Sequence, residues 1–196
     1  RWLRDMILPD IYAECKKTGK NFFAYSQKEM DPENPGKLLL LPHFSGSGNP
    51  FFKADALGAI YGFSLDTTRE DIARAVYEGL AYEVRLHTDE YKKAGIELDT
   101  LRAVGGGATI DAQLQLKANI TGLKIIKGTV SESSAMGAAA YAAVGAGIIA
   151  NPAEAYEKVK GGEKVFVPDP LAHARFEKKF EKYRELAYMI NTIDGE

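Results

Sequence analysis

Residues 101–126 read LRAVGGGATIDAQLQLKANITGLKII, and this stretch decides the class of fold. Leu101–Val104 is a short apolar run that stops at Gly105, Gly106 and Gly107. A helical segment follows over Asp111–Asn119, and Leu123–Ile126 is a second strand. Three successive glycines let the backbone take positive φ and approach a ligand that any Cβ would hold off. Placed before a helix start, their N–H groups suit a phosphate or a ribose. The same glycines also suit a tight strand-to-helix turn that needs no ligand, and their spacing departs from the dinucleotide fingerprint G-x-G-x-x-G.

Working outward, Thr67–Lys93 carries the clearest helical period, with Ile72, Ala75, Val76, Gly79, Leu80 and Val84 on one stripe. Thr68 and Asp71 stand as a variant capping box at its start. Downstream, Glu132–Gly145 reads as a small-residue helix suited to close packing on a sheet. Pro152–Val159 is a short helix and Lys164–Val167 a short strand. Leu171–Ile190 is an amphipathic helix with Phe176, Phe180, Tyr183, Ala187 and Ile190 in line. Upstream, Trp2–Lys17 reads as a helix bent at Pro9, with Trp2, Met6, Ile7 and Ile11 near one face. Gln27–Lys37 is a loop, Lys37–Phe44 a candidate buried strand and Ser45–Pro50 another loop. Strands alternating with helices predict an α/β domain with helices packed on a sheet. The chain opens inside a helix, so the sequence is expected to begin partway through its domain.

Composition narrows the functional classes. The 196 residues are 45% hydrophobic and 27% charged, the balance of a globular domain. Twenty-five Lys and Arg against 27 Asp and Glu argue against nucleic acid as a partner, because phosphate backbones demand clustered positive charge. Cys15 is the one cysteine and there are three histidines, so neither an internal disulfide nor a Cys/His metal set is expected. The Ala135–Ala150 run is too weakly apolar for a membrane span, so no membrane contact is expected. The setting expected is cytoplasmic.

Single residues point less far. Ser45-Gly46-Ser47-Gly48-Asn49-Pro50 suits either an anion-binding nest or a plain turn, and the turn is preferred. His43 is read as a structural histidine, with no partner carboxylate placed by the sequence. Glu78 lies beside the apolar stripe, on the shoulder of its helix. Cys15 is read as a silent thiol, and Lys178–Lys182 as a solvated face.

Taken in order, these segments resemble the C-terminal domain of the FGGY carbohydrate kinases. Arg1–Asp5 resembles that domain's tryptophan-containing helix. Leu41–Pro50 through Gly58-Ala59-Ile60-Tyr61-Gly62 is similar to the family's proline-glycine loop and the turn after it. Asp71–Arg85, with Ala75, Glu78, Gly79, Ala81 and Tyr82, resembles the central signature helix. Gly105–Ala108 matches the adenosine loop. Gln115, Ala118, Asn119 and Gly122, then Glu132 and Ala135–Ala139, match two segments beyond it.

The resemblance implies a ribonuclease H-like fold of the actin, hexokinase and Hsp70 type, an α/β domain with helices packed on a mixed sheet and missing its opening strands. Residues 1–196 would be part of the nucleotide-binding domain, with the N-terminal sugar-binding lobe absent. It implies ATP-dependent phosphorylation of a sugar or polyol with Mg2+; the sequence leaves a homo-oligomer open. Gly105, Gly106, Gly107 and Ala108 would border ribose and phosphates, Asp111 would lie beside the adenine, and Arg1 would contact nucleotide. No catalytic residue and no metal ligand is assigned; the fragment alone is expected to be inactive. Departures are Ser47-Gly48 in place of a common Glu-Arg, and Asn119 where aspartate is usual, the latter read as a matter of helix packing. Two other readings stay open: an actin-like or activator-type ATPase switch without a sugar substrate, and a structural interaction domain.

Overall fold

The computed structural model describes residues 1–28, 30–128, 132–159 and 161–193. Helical period and capping together set its longest helix. Thr68 accepts from the Asp71 N–H while the Asp71 carboxylate accepts from the Thr68 N–H, closing the capping box expected from sequence. The helices are α1 (Pro9–Thr18), α2 (Phe22–Tyr25), α3 (Arg69–Lys93), α4 (Asp111–Thr121), α5 (Ser133–Gly145), α6 (Pro152–Val159) and α7 (Pro170–Ile193). The strands are β1 (Leu39–Leu41), β2 (Ala59–Tyr61), β3 (Thr100–Ala103), β4 (Lys124–Lys127) and β5 (Lys164–Phe166).

β3 runs parallel to β4, with Leu101 opposite Ile125, and β4 runs antiparallel to β5, with Ile125 opposite Phe166. The sheet is therefore mixed, as expected. β1 and β2 form a separate antiparallel pair, with Leu40 opposite Ile60. Gly58–Gly62 is thus mainly a strand rather than the turn read from sequence.

The main core joins α3, α7, β1 and the inner side of α4. Tyr82, Phe176, Phe180, Tyr183, Leu116 and Ile120 are all buried in it. The ring centroids of Tyr82 and Tyr183 lie 4.9 Å apart, and those of Tyr82 and Phe180 lie 6.0 Å apart. The opposite side of α4 supplies Leu114 and Ala118 to a smaller cluster with Ile125 and Phe166 of the sheet. A helix buried on two sides carries little amphipathic signal, and α4 is the bridge between the two cores.

Several expectations change. The first helix is two pieces: a π-helical turn over Leu3–Ile7, a break at Leu8, then α1 with Pro9 at its first position. A proline there lacks only an N–H that has no helical partner anyway. Leu3, Leu8 and Cys15 are buried, whereas Met6 of the expected face is exposed. On α3, Leu80 is exposed and the buried set widens to Tyr77, Glu78, Ala81, Tyr82 and Arg85. α5 is mostly exposed and packs on α6, with Ala140 its one buried residue. Its small residues are not pressed on a sheet as the sequence suggested.

Candidate nucleotide site

β3 ends at Ala103, and Gly105 turns the chain at φ 73°, a left-handed value that penalises any side chain. One 3-10 turn, Gly106–Ala108, follows. The Ala108 N–H donates to the Gly105 carbonyl at 3.0 Å, and Thr109 Oγ1 donates to the Gly106 carbonyl at 2.8 Å. A Cβ built on Gly105, Gly106 or Gly107 meets nothing within 4 Å. The corner is bare main chain facing open space, and Ala108 alone is tucked in. This arrangement lies at the carboxyl end of two parallel strands, where open α/β sheets bind their ligands.

Beside it lies a cavity of ≈ 250 Å³ lined mostly by apolar groups. Val104 and Gly128 come from the strand ends, Met136, Gly137 and Ala140 from α5, and Tyr156 from α6. Arg102 closes one wall, donating to Tyr156 Oη at 2.9 Å and to Glu163 Oε1 at 2.5 Å. The sequence gives Met136, Gly137 and Tyr156 no site role, because helix periodicity does not show which helix faces a strand end.

Asp111 opens α4 just beyond the corner. Its Oδ1 accepts from Lys127 Nζ at 2.8 Å and its Oδ2 from Lys164 Nζ at 2.6 Å. These two ammonium groups, Lys127 first, hold its carboxyl below the ordinary carboxylate range. Asp111 is therefore an anchored residue. Arg1 is exposed, and its carbonyl accepts from the Asp5 N–H. Its neighbour Trp2 lies against Phe44, with ring centroids 5.2 Å apart, on the side of β1. The structure brings Gly105–Ala108 and Asp111 together and shows no contact joining Arg1 to them among the described residues.

The Ser45–Pro50 loop closes on itself: the Ser47 N–H donates to the Lys53 carbonyl, and a Cβ on Gly46 would meet the Ala54 carbonyl. Its backbone turns at Ser45 and again over residues 49–51. His43 does have a carboxylate beside it, with Nε2 3.4 Å from Glu83 Oε1, although the sequence placed none there. Glu78 is not on a shoulder; it is 1% exposed and ringed by donors. Among the described residues no cluster of three or more His, Cys, Asp or Glu is placed to hold a metal. No helix among them is long and apolar enough to cross a membrane.

Helices packed on a mixed sheet, with a glycine corner at its strand ends, make this an α/β domain. Solved carbohydrate kinases share its fold, which is of the ribonuclease H-like type. A xylulose kinase from Lactobacillus acidophilus superposes with TM-score 0.76 at 23% identity, over 96% of this chain and 37% of that one. A Plasmodium falciparum glycerol kinase with ADP superposes with TM-score 0.68 at 24% identity, over 94% of this chain and 35% of that one. Residues 1–146 match the C-terminal domain of the FGGY family of carbohydrate kinases, and the chain belongs to that family. It is 31% identical over 155 residues to L-xylulose/3-keto-L-gulonate kinase of Escherichia coli K12, covering 79% of this chain and 30% of that protein. It is 35% identical over 169 residues to glycerol kinase of Shewanella piezotolerans, covering 86% of this chain and 32% of that protein. The chain thus spans about a third of the length of these curated relatives.

Proposed function

We propose that this chain supplies the nucleotide-side lobe of an ATP-dependent kinase acting on a sugar or polyol hydroxyl. The observation that carries the reading is the bare Gly105–Gly107 main chain at the end of β3, beside an apolar cavity, in a chain of this family. A ribose and its phosphates fit a surface of backbone N–H groups with no Cβ in the way. The cavity offers apolar cover to a flat ring.

The chemistry asked of these residues is positional. Phosphoryl transfer proceeds in line from ATP to a substrate oxygen, and catalysis consists mainly of alignment and charge stabilisation. The glycine corner holds the donor end. On the family resemblance, removing the proton from the substrate hydroxyl is assigned to the second lobe; within this chain His43 is buried against Glu83 and Glu78 is committed to three partners. Mg2+, which would shield the phosphate charge, is given no ligand in this chain; Asp111 is already taken by two lysines. The sugar is assigned to a second lobe that closes on this one, and the cytoplasm is the setting that supplies ATP.

The test is ADP release by the full-length protein, measured with and without a panel of sugars and polyols. Release that depends on one of them supports the reading. Sugar-independent ATP turnover, or none with any compound, refutes it.

A further inference from the structure

The glycine corner faces open space, so its shape is fixed by the groups bonded at its ends. Gly105, Gly106 and Gly107 contribute no side chain, and Ala108 contributes one methyl. At the exit of the corner stands Lys127, the last residue of β4. Its Nζ donates to the Thr109 carbonyl at 3.2 Å and to Asp111 Oδ1 at 2.8 Å. One ammonium group thereby grips the exit of the 3-10 turn and the first residue of α4 together. Thr109 in turn holds the corner from inside, through its hydroxyl on the Gly106 carbonyl. Lys164, from β5, touches Asp111 at 2.6 Å and is much more exposed than Lys127.

Two lysines on one carboxylate also leave a net positive charge at the start of α4, next to the corner. A lone Asp111 at that place would repel a polyphosphate; bracketed by two cations it does not. Both effects favour the same ligand chemistry.

We infer that Lys127 is a positioning residue for the nucleotide, clamping Thr109 and Asp111 so that the Gly105–Ala108 main chain is held in its receptive shape, with Lys164 sharing the Asp111 carboxylate. This inference rests on the nucleotide reading above.

The experiment is steady-state kinetics on the full-length protein, varying ATP and then the sugar, for wild type, Lys127→Met, Lys127→Arg and Lys164→Met. Loss of a charge-assisted hydrogen bond predicts about a tenfold rise in KM for ATP in Lys127→Met, with kcat and the sugar KM within about threefold. Lys127→Arg, which keeps the charge and the donors, should recover most of the loss. Lys164→Met, which leaves the grip on Thr109 in place, should raise KM for ATP by less than about threefold. If Lys127→Met fails to fold, Lys127→Gln carries the same expectation. An unchanged KM for ATP in an active Lys127→Met enzyme overturns the inference and leaves the kinase reading standing. So does an equal rise in both KM values, or an equal effect of Lys164→Met. Wild type without sugar-dependent ATP consumption overturns the reading itself, and the inference with it.

Discussion

Lys179 on α7 reaches Glu78 on α3, Nζ to Oε2, at 2.5 Å, and both side chains are withdrawn from solvent. Arg74 Nε donates to Glu78 Oε1 at 2.7 Å, and the Gly36 N–H donates to the same oxygen at 2.7 Å. Lys179 also donates to the Gly36 carbonyl at 2.8 Å. One carboxylate thereby ties the loop before β1 to both long helices of the core. Burial lowers the Lys179 pKa, and Glu78 opposes the shift.

Removing that centre should be costly. Glu78→Ala leaves two cations facing each other without a counter-charge, and a loss of about 3–5 kcal/mol is expected. Glu78→Gln keeps the shape and one acceptor and should lose less. Denaturant unfolding of the three proteins side by side measures this. A loss under about 1 kcal/mol for Glu78→Ala would mean the ion ring contributes only as an exposed pair does.

Gly79 on α3 is a second point where helix and strand depend on each other. A Cβ there would run into the Leu40 carbonyl oxygen of β1. Alanine is the better helix former by about 1 kcal/mol, so Gly79→Ala pits propensity against packing. Backbone cannot swing aside as a flexible side chain can, so overpacking is expected to win by about 1–3 kcal/mol net. A Gly79→Ala protein as stable as wild type would show that α3 shifts away from β1 freely.

Gly106 and Gly107 should behave oppositely. Neither has a positive φ, and a Cβ at either meets open space. Gly106→Val and Gly107→Val should therefore fold with near-normal stability and fail only when a ligand comes close. On the kinase reading, KM for ATP rises tenfold or more (about 1.4 kcal/mol or more), while KM for the sugar hardly moves. Comparable effects on both substrates would show that the corner serves the fold and not the nucleotide.

These contrasts explain what could be read in advance. Phe176, Phe180, Tyr183 and Ala187 declare α7 because a period of 3.6 is a local property, and all four are fully buried. The glycine corner is legible for the same reason: strand, glycines and helix are adjacent in sequence. Glu78 reads from sequence as a shoulder residue because Gly36 and Lys179, two of its three partners, are brought to it only by the fold. The partners of Asp111 sit on β4 and β5, and the carboxylate beside His43 sits on α3, so no local pattern announces them. β2 is three residues long and gains its identity only by pairing with Leu39–Leu41. α5 carries a helix signal without a packing signal, since alanines suit a close partner and an exposed face alike.

Asn119, where the family resemblance leads one to expect aspartate, offers a sharp test of how polar groups fix this core. It is fully buried on α4. Its Nδ2 donates to the Pro32 carbonyl at 2.8 Å, and its Oδ1 accepts from the Asp169 N–H at 2.9 Å and from Gln115 Nε2 at 3.0 Å. The amide thus joins the Asp31–Gly36 loop to the turn before α7, and it needs both a donor and an acceptor to do so. Asn119→Asp keeps the acceptor but sets a carboxylate oxygen against the Pro32 carbonyl. The charged form is disfavoured there, so the new carboxyl's folded-state pKa should lie above its unfolded value. A carboxyl whose folded pKa is raised binds more protons in the folded state, so stability falls as pH rises between the unfolded and folded values. The variant should match wild type most nearly in acid, where a protonated oxygen can donate to Pro32, and lose about 1–3 kcal/mol relative to it at neutral pH. Denaturant unfolding at several pH values measures the gap. A gap that stays constant with pH would mean the Pro32 loop rearranges to accept the charge, and Asn119 would then not be what holds that loop to α7.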